Sequence, residues 1–133
     1  MDEFLIRTVR PADAEAWRQL RTAHWPDGAE DHAREIAAFF ARTLAEPQAV
    51  FLAEAQNEAV AVMELSIRAN LPSLDGVNVG YVEGFYIVPK FRGQGLARQL
   101  LRRAQEWARE QGCPKFASDR AGRVIVDPNY RLK

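Results

Sequence analysis

A strand-forming run at residues 81–88 leads through a proline and a basic, glycine-rich turn into a segment of helical period. A second strand-forming run follows at 115–118. The helical segment sets Leu96, Leu100, Leu101, Ala104, Trp107 and Ala108 on one face and stops at Gln111-Gly112. Strand, helix and strand in that order place the two strands parallel in one sheet, because parallel neighbours need a long crossover connection. That commits the chain to an α/β architecture.

The turn inside this unit carries chemistry. It contains Arg92, Gly93, Gln94, Gly95, Leu96 and Ala97, at the point where a strand hands over to a helix. The first N–H groups of a helix have no internal partners, and the helix dipole adds partial positive charge there. Gly93 and Gly95 let the backbone approach an anion, and Arg92 adds a charged fork, so the turn suits a phosphate or pyrophosphate. A P-loop would need Lys and a hydroxyl after Gly95, and the dinucleotide fingerprint would need glycine where Arg98 stands. The alternative is an ordinary glycine-containing turn before a surface helix.

The rest of the chain adds strands and helices to the same sheet. Residues 4–9 form a first strand, Arg10-Pro11 breaks it, and Asp13 caps a helix that buries Trp17 and Leu20. After the turn chemistry of Trp25-Pro26-Asp27-Gly28, Ile36, Phe39, Phe40 and Leu44 predict a second helix over about 31–45. Strands at 49–55 and 58–67 meet at Gln56-Asn57, and a polar loop spans 69–80. Gly84, inside the central strand, predicts a bulge or a close backbone approach. The order β-α-α-β-β-β-α-β describes a mixed sheet flanked by helices, with one domain over residues 1–133.

Charge and cysteine content narrow the function. Eighteen basic residues balance eighteen acidic ones, which gives no pull toward nucleic acid or a membrane surface. No run approaches membrane-spanning length, and Cys113 is the only cysteine, which fits a cytoplasmic protein without disulfides. His24 and His32 are too few and wrongly spaced for a metal site.

Arg92-x-x-Gly95-x-Ala97 is similar to the Arg/Gln-x-x-Gly-x-Gly/Ala signature of the GNAT N-acetyltransferases. Within that superfamily the chain resembles the aminoglycoside 6′-N-acetyltransferases. The matching segments are Trp17-Arg18-x-Leu20-Arg21, Trp25-Pro26, Ser66-Ile67-Arg68, Glu83-Gly84 with Pro89-x-Phe91-Arg92, and Gly112-Cys113 with Ala117-Ser118-Asp119. In such enzymes a further helix and a strand pair follow the Ala-Ser-Asp. Here residues 120–133 are an atypical tail in which only Val124-Ile125-Val126 can make a short strand, and a partner chain covering the strand edges would give a homodimer.

The resemblance implies an acetyl-CoA-dependent transfer to a primary amine, most specifically an aminoglycoside 6′-amine, by direct attack in a ternary complex. It implies that Tyr86, Ile87 and Val88 hold the pantetheine arm through their backbone, and that residues 92–97 hold the pyrophosphate. A bulge at Gly84 would free the N–H of Phe85 or Tyr86 toward a developing oxyanion. Glu83 and Asp119 are the candidate catalytic residues, binding the cationic amine and accepting its proton; each has a structural alternative, as an ion pair or a turn residue. Trp25, Asp27 and Asp75 join them as candidate acceptor-binding residues, alongside Glu30 and Asp31, because a polyamine favours an acidic cleft. Tyr130 is a candidate proton donor to the leaving thiolate, and Cys113 reads as a buried small hydrophobe. Two alternatives stay open: another small cationic amine or a protein N-terminus as acceptor, and a non-catalytic domain that binds CoA or dimerises.

Overall fold

The crossover unit forms as its sequence predicts. In the computed structural model, which describes residues 3–132, the chain runs β1 (Leu5–Thr8), α1 (Ala14–His24), α2 (Ala29–Phe40), β2 (Ala49–Ala55), β3 (Glu58–Arg68), β4 (Val79–Ile87), α3 (Leu96–Glu110), β5 (Lys115–Arg120) and β6 (Arg123–Val126). Short 3-10 turns stand at Pro11–Asp13, Pro26–Gly28 and Pro89–Phe91. Among the described residues the six strands form one sheet in chain order, antiparallel throughout except for the parallel pair β4–β5.

Helix α3 covers one face of the sheet. Its apolar stripe of Leu96, Leu100, Ala104, Trp107 and Ala108 is buried against Phe51, Met63, Leu65 and Phe116. Burying each large side chain of such a stripe contributes about 1.5–3 kcal/mol. Gly80 is what lets the helix rest there, since a methyl group on it would lie 2.7 Å from the Ala108 Cβ. The helix closes with Gly112 at φ 78°, where the Gly112 N–H donates to Arg109 and the Cys113 N–H to Ala108.

Helices α1 and α2 cover the other face. Trp17 is their centre, edge-on to Phe39 and Phe40 and packed over Val50, Leu52 and Val62. Helix α2 stops at Phe40 and does not reach the predicted 45. Arg42 adopts φ 61°, its N–H donates to Phe39, and the Thr43 N–H donates to Ala38. This is a left-handed helix end built on arginine in the place where glycine is the usual cue, so Leu44 lies beyond the helix despite its spacing.

Asp13 also departs from expectation. It precedes α1 but places no side-chain cap on it; its carboxylate accepts from the Arg10 N–H and pairs with both terminal nitrogens of Arg7. The Arg7 hydrogen bonds hold this carboxyl down, from its ordinary 3.8 to about 2. A carboxyl depressed by folding contributes stability that is complete above its unfolded pKa and is lost as pH falls through the folded one. Asp13→Asn is expected to cost about 2 kcal/mol at pH 7, with the difference from wild type shrinking toward pH 2. Urea unfolding at pH 7 and pH 3 measures it, and a pH-independent difference would remove the ion-pair account.

The tail after β5 is built as one strand and a return segment, with no helix after α3 among the described residues. The Asp127 N–H donates to the Phe116 carbonyl at 2.8 Å, Gln105 donates to the Asp127 carboxylate, and Arg109 donates to the Arg131 carbonyl. Tyr130 is buried, stacked on Phe116, with its hydroxyl donating to the Cys113 carbonyl at 2.7 Å.

Candidate functional site

Strands β4 and β5 pair over only three positions, Val79↔Lys115, Gly80↔Phe116 and Tyr81↔Ala117. Strand β5 then turns into β6, while β4 continues to Ile87 with β3 on its other side. A wedge therefore opens along β4 from Val82 onward, and a strand edge left open can pair with an extended ligand. The Val88 N–H donates to Val60 and its carbonyl accepts from Phe91. Because backbone groups alternate sides along a strand, Phe85 and Ile87 present theirs to the wedge, whereas Tyr86 faces β3. The expectation that the backbones of Tyr86 and Val88 serve the cofactor is corrected on this point. Val88 spends both of its groups inside the fold, and Tyr86 contributes its ring to the cleft instead.

The wedge widens at the phosphate turn into an open cleft of about 760 Å³ lined by Ala23, His24, Phe85, Tyr86, Ile87 and the residues of the turn. Gly93 and Gly95 have φ of 78° and 84°, and a Cβ on either would meet nothing within 4 Å. What the protein itself requires of them is the left-handed backbone. Gly95 is the N-cap of α3, with no side-chain cap and no acidic residue in the first helical turn. By contrast, α1 and α2 carry Glu15, Glu30 and Asp31 in theirs. The α3 N-terminus is thus left with its N–H groups and its positive field free for an anion. The Arg92 Nε donates to the Ile87 carbonyl at 2.8 Å, and its guanidinium lies 5.4 Å from the Tyr86 ring, which fixes the fork at the cleft mouth. The Gln94 side chain donates back to the Lys90 carbonyl, and the Leu96 side chain is core, so these two offer the ligand their backbone only.

At the other end of the wedge a bulge changes the strand's alternation. Gly84 pairs with Glu64 and Val82 with Leu65, which leaves Glu83 as the extra residue. Val79 and Tyr81 before it, and Tyr86 after it, all pack away from α3. Gly84 faces the same way, and a methyl group on it would run into the Trp25 indole. Trp25 lies against this bulge with the Arg21 guanidinium 5.3 Å from its ring, and its carbonyl meets the His32 ring at 3.0 Å. The bulge thus sits one residue before the predicted Gly84, and the glycine answers to a close approach by tryptophan.

Glu83 accepts two hydrogen bonds of 2.7 Å from Arg68, whose guanidinium lies 4.4 Å from the Tyr81 ring and 3.8 Å from Glu46. Burial pushes the Tyr81 phenol up, and the negative charge of Asp119 adds to the effect. Asp119 itself is exposed on β5, opposite Val124 of β6. In the β4–β5 register Tyr81 stands opposite Ala117, so Glu83 and Asp119 each follow two residues further on, near Tyr81 where the wedge begins. Asp27 and Asp75 are exposed on their loops. The loop carrying Asp75 is anchored beside Tyr81 through Leu71, Leu74 and Val77. Asp31 is paired with Arg34. Sequence reasoning missed Arg68 and Tyr81 as site residues, and also His24, which lines the cleft and whose pKa burial lowers. Among the described residues no group of three or more His, Cys, Asp or Glu is placed to hold a metal, and no helix is long and apolar enough to cross a membrane.

Known proteins are similar to this chain in sequence and fold. The sequence model of the acetyltransferase (GNAT) family matches residues 14–125. The aminoglycoside N(6′)-acetyltransferase type 1 of Klebsiella aerogenes is 42% identical over 117 residues, covering 86% of this chain and 77% of that one. The enzyme of the same name from Stenotrophomonas maltophilia is 41% identical over 117 residues, covering 86% and 73%. Among solved structures, AAC(6′)-Iy in complex with the bisubstrate analogue CoA-S-monomethyl-acetylneamine superposes with a TM-score of 0.79 at 30% identity, covering 90% and 80% of the two chains.

Proposed function

The chain belongs to the acetyltransferase (GNAT) family, and from that premise we propose that it acetylates the 6′-amine of an aminoglycoside with acetyl-CoA as donor. The observation that carries this reading is the β4–β5 wedge, with an uncapped, acid-free helix N-terminus at one end and the carboxylate-bearing Glu83 and Asp119 near Tyr81 at the other. The residues present fit the cofactor. The turn at 93–95 and the first N–H groups of α3 match a pyrophosphate, and the open edge of β4 at Phe85 and the Ile87 N–H matches an amide-bearing arm, the Ile87 carbonyl being taken by Arg92. Bound acetyl-CoA supplies an acetyl thioester, which is activated toward amines.

The protein's own groups do the rest. Glu83 and Asp119 attract and hold the cationic acceptor, and a carboxylate there takes the amine's proton through water. Trp25 forms an apolar wall over the bulge. Cys113 is fully buried and burial pushes its thiol up, which supports direct transfer to the amine without an acetylated cysteine. The Tyr130 hydroxyl is engaged with the Cys113 carbonyl, which supports an anchoring role for it over proton donation. We place the protein in the cytoplasm as a single-domain homodimer. The lone buried thiol and the outer edge of β6, where Val124 and Ile125 are each 41% exposed, support those assignments.

Purified protein with acetyl-CoA and kanamycin or tobramycin is expected to release free thiol in step with a mono-acetylated product. Thiol release no faster than with acetyl-CoA alone would overturn the proposal. Turnover that ranks aminoglycosides last among cationic amines would keep the transfer and replace the acceptor.

A further inference from the structure

Arg68 ends β3 opposite Val79, yet its guanidinium reaches along β4, past the ring of Tyr81, to the carboxylate of Glu83. Three groups fix it there: the Tyr81 ring at 4.4 Å, the two parallel bonds to Glu83, and Glu46 of the loop before β2 at 3.8 Å. The paired carboxylate makes Arg68 a still more permanent cation, raising its pKa further. Among the described residues, Glu83 has no other hydrogen-bond donor.

A carboxylate has about four lone-pair sites, and a forked guanidinium uses one on each oxygen. The remaining two are the outward-pointing pairs, one on each oxygen. We propose that Arg68 is a positioning residue for the acceptor: it locks the Glu83 carboxylate so that its two free lone pairs are fixed for the incoming amine. The inference rests on the acetyl-transfer reading above and assigns part of that site. It requires the fork as well as the charge, so lysine cannot replace Arg68.

Steady-state kinetics of wild type, Arg68→Lys and Arg68→Gln, with tobramycin and acetyl-CoA each varied, tests it. Both variants are expected to raise the tobramycin KM about tenfold or more, with the acetyl-CoA KM within about twofold of wild type. A merely structural role would move both constants together and lower the melting temperature. That result, unchanged tobramycin KM, or full rescue by lysine would overturn the proposal. Calorimetric titration of tobramycin into the same proteins separates this inference from the one beneath it. Wild-type binding that weakens about tenfold in both variants, without any turnover, supports the positioning role and sinks the catalytic reading. Turnover and binding indifferent to Arg68 do the reverse, and no tobramycin binding by wild type sinks both.

Discussion

Glu64→Ala is expected to destabilise the fold by about 3–5 kcal/mol. Glu64 is only 2% exposed, in the middle of β3 on the face covered by α1. It accepts from the Trp17 indole at 2.9 Å and from Arg21 at 2.8 and 3.2 Å, and Arg21 reaches on to Glu35 of α2. Alanine would leave a buried guanidinium with one half-exposed partner and a buried indole N–H with none. Both groups then carry the full desolvation penalty. For a domain of this length the loss corresponds to a fall in Tm of roughly 10–20 °C. The double variant Arg21→Met with Glu64→Leu removes both charges and is expected to recover much of the stability, because a matched apolar pair avoids the guanidinium's penalty and leaves only that of the Trp17 indole N–H. Thermal unfolding of the three proteins decides it. A Glu64→Ala midpoint within a degree or two of wild type would show that the network contributes little.

The network also bears on the site. Glu64 stands opposite Gly84 in the β3–β4 register, and Arg21 lies between Glu64 and the Trp25 ring. The indole that walls the bulge is therefore packed against the buried ion pair. Losing that pair should disturb the acceptor end of the wedge before the phosphate turn.

Local features of this architecture were legible in the sequence, and long-range pairings were not. Helix α3, its apolar stripe and its Gly112 stop follow from period and turn chemistry, which are encoded within a few residues. The phosphate turn is legible for the same reason, because its φ demands and its free N–H groups belong to one short segment. The end of α2 was misplaced because the left-handed position is held by Arg42, a residue that carries no stop signal. Glu64 gave no warning, since a carboxylate in an apolar strand reads as solvent-facing until Trp17 and Arg21 are brought across the sheet. Arg68 and Glu83 are fifteen residues apart in sequence, and they meet only because the bulge at Glu83 and the β3–β4 register place them so. The backbone assignment at Tyr86 and Val88 slipped by one residue for a related reason: alternation predicts that two groups out of four face the wedge, and only the Val60 bond tells which.

Gly95→Val should weaken acetyl-CoA binding by about 100-fold while leaving the fold largely intact. Gly95 has φ 84° at the N-cap of α3, and a side chain there would meet nothing within 4 Å. The obstacle is thus the backbone and not the neighbours. A β-branched residue held in this region costs about 1–3 kcal/mol, which the turn can relieve by flipping toward negative φ. Flipping rotates the peptide groups that present N–H donors to the pyrophosphate, and each charge-assisted bond lost is worth about 1.5–3 kcal/mol. Gly95→Asn supplies the control, because asparagine tolerates the left-handed region although it carries the same Cβ. If conformation is what matters, asparagine should keep affinity within about tenfold of wild type. If room for the ligand is what matters, asparagine and valine should fail alike. Calorimetric titration of acetyl-CoA into the three proteins separates these outcomes, and equal loss in both variants would shift the role of Gly95 from shaping the turn to clearing space for the phosphates.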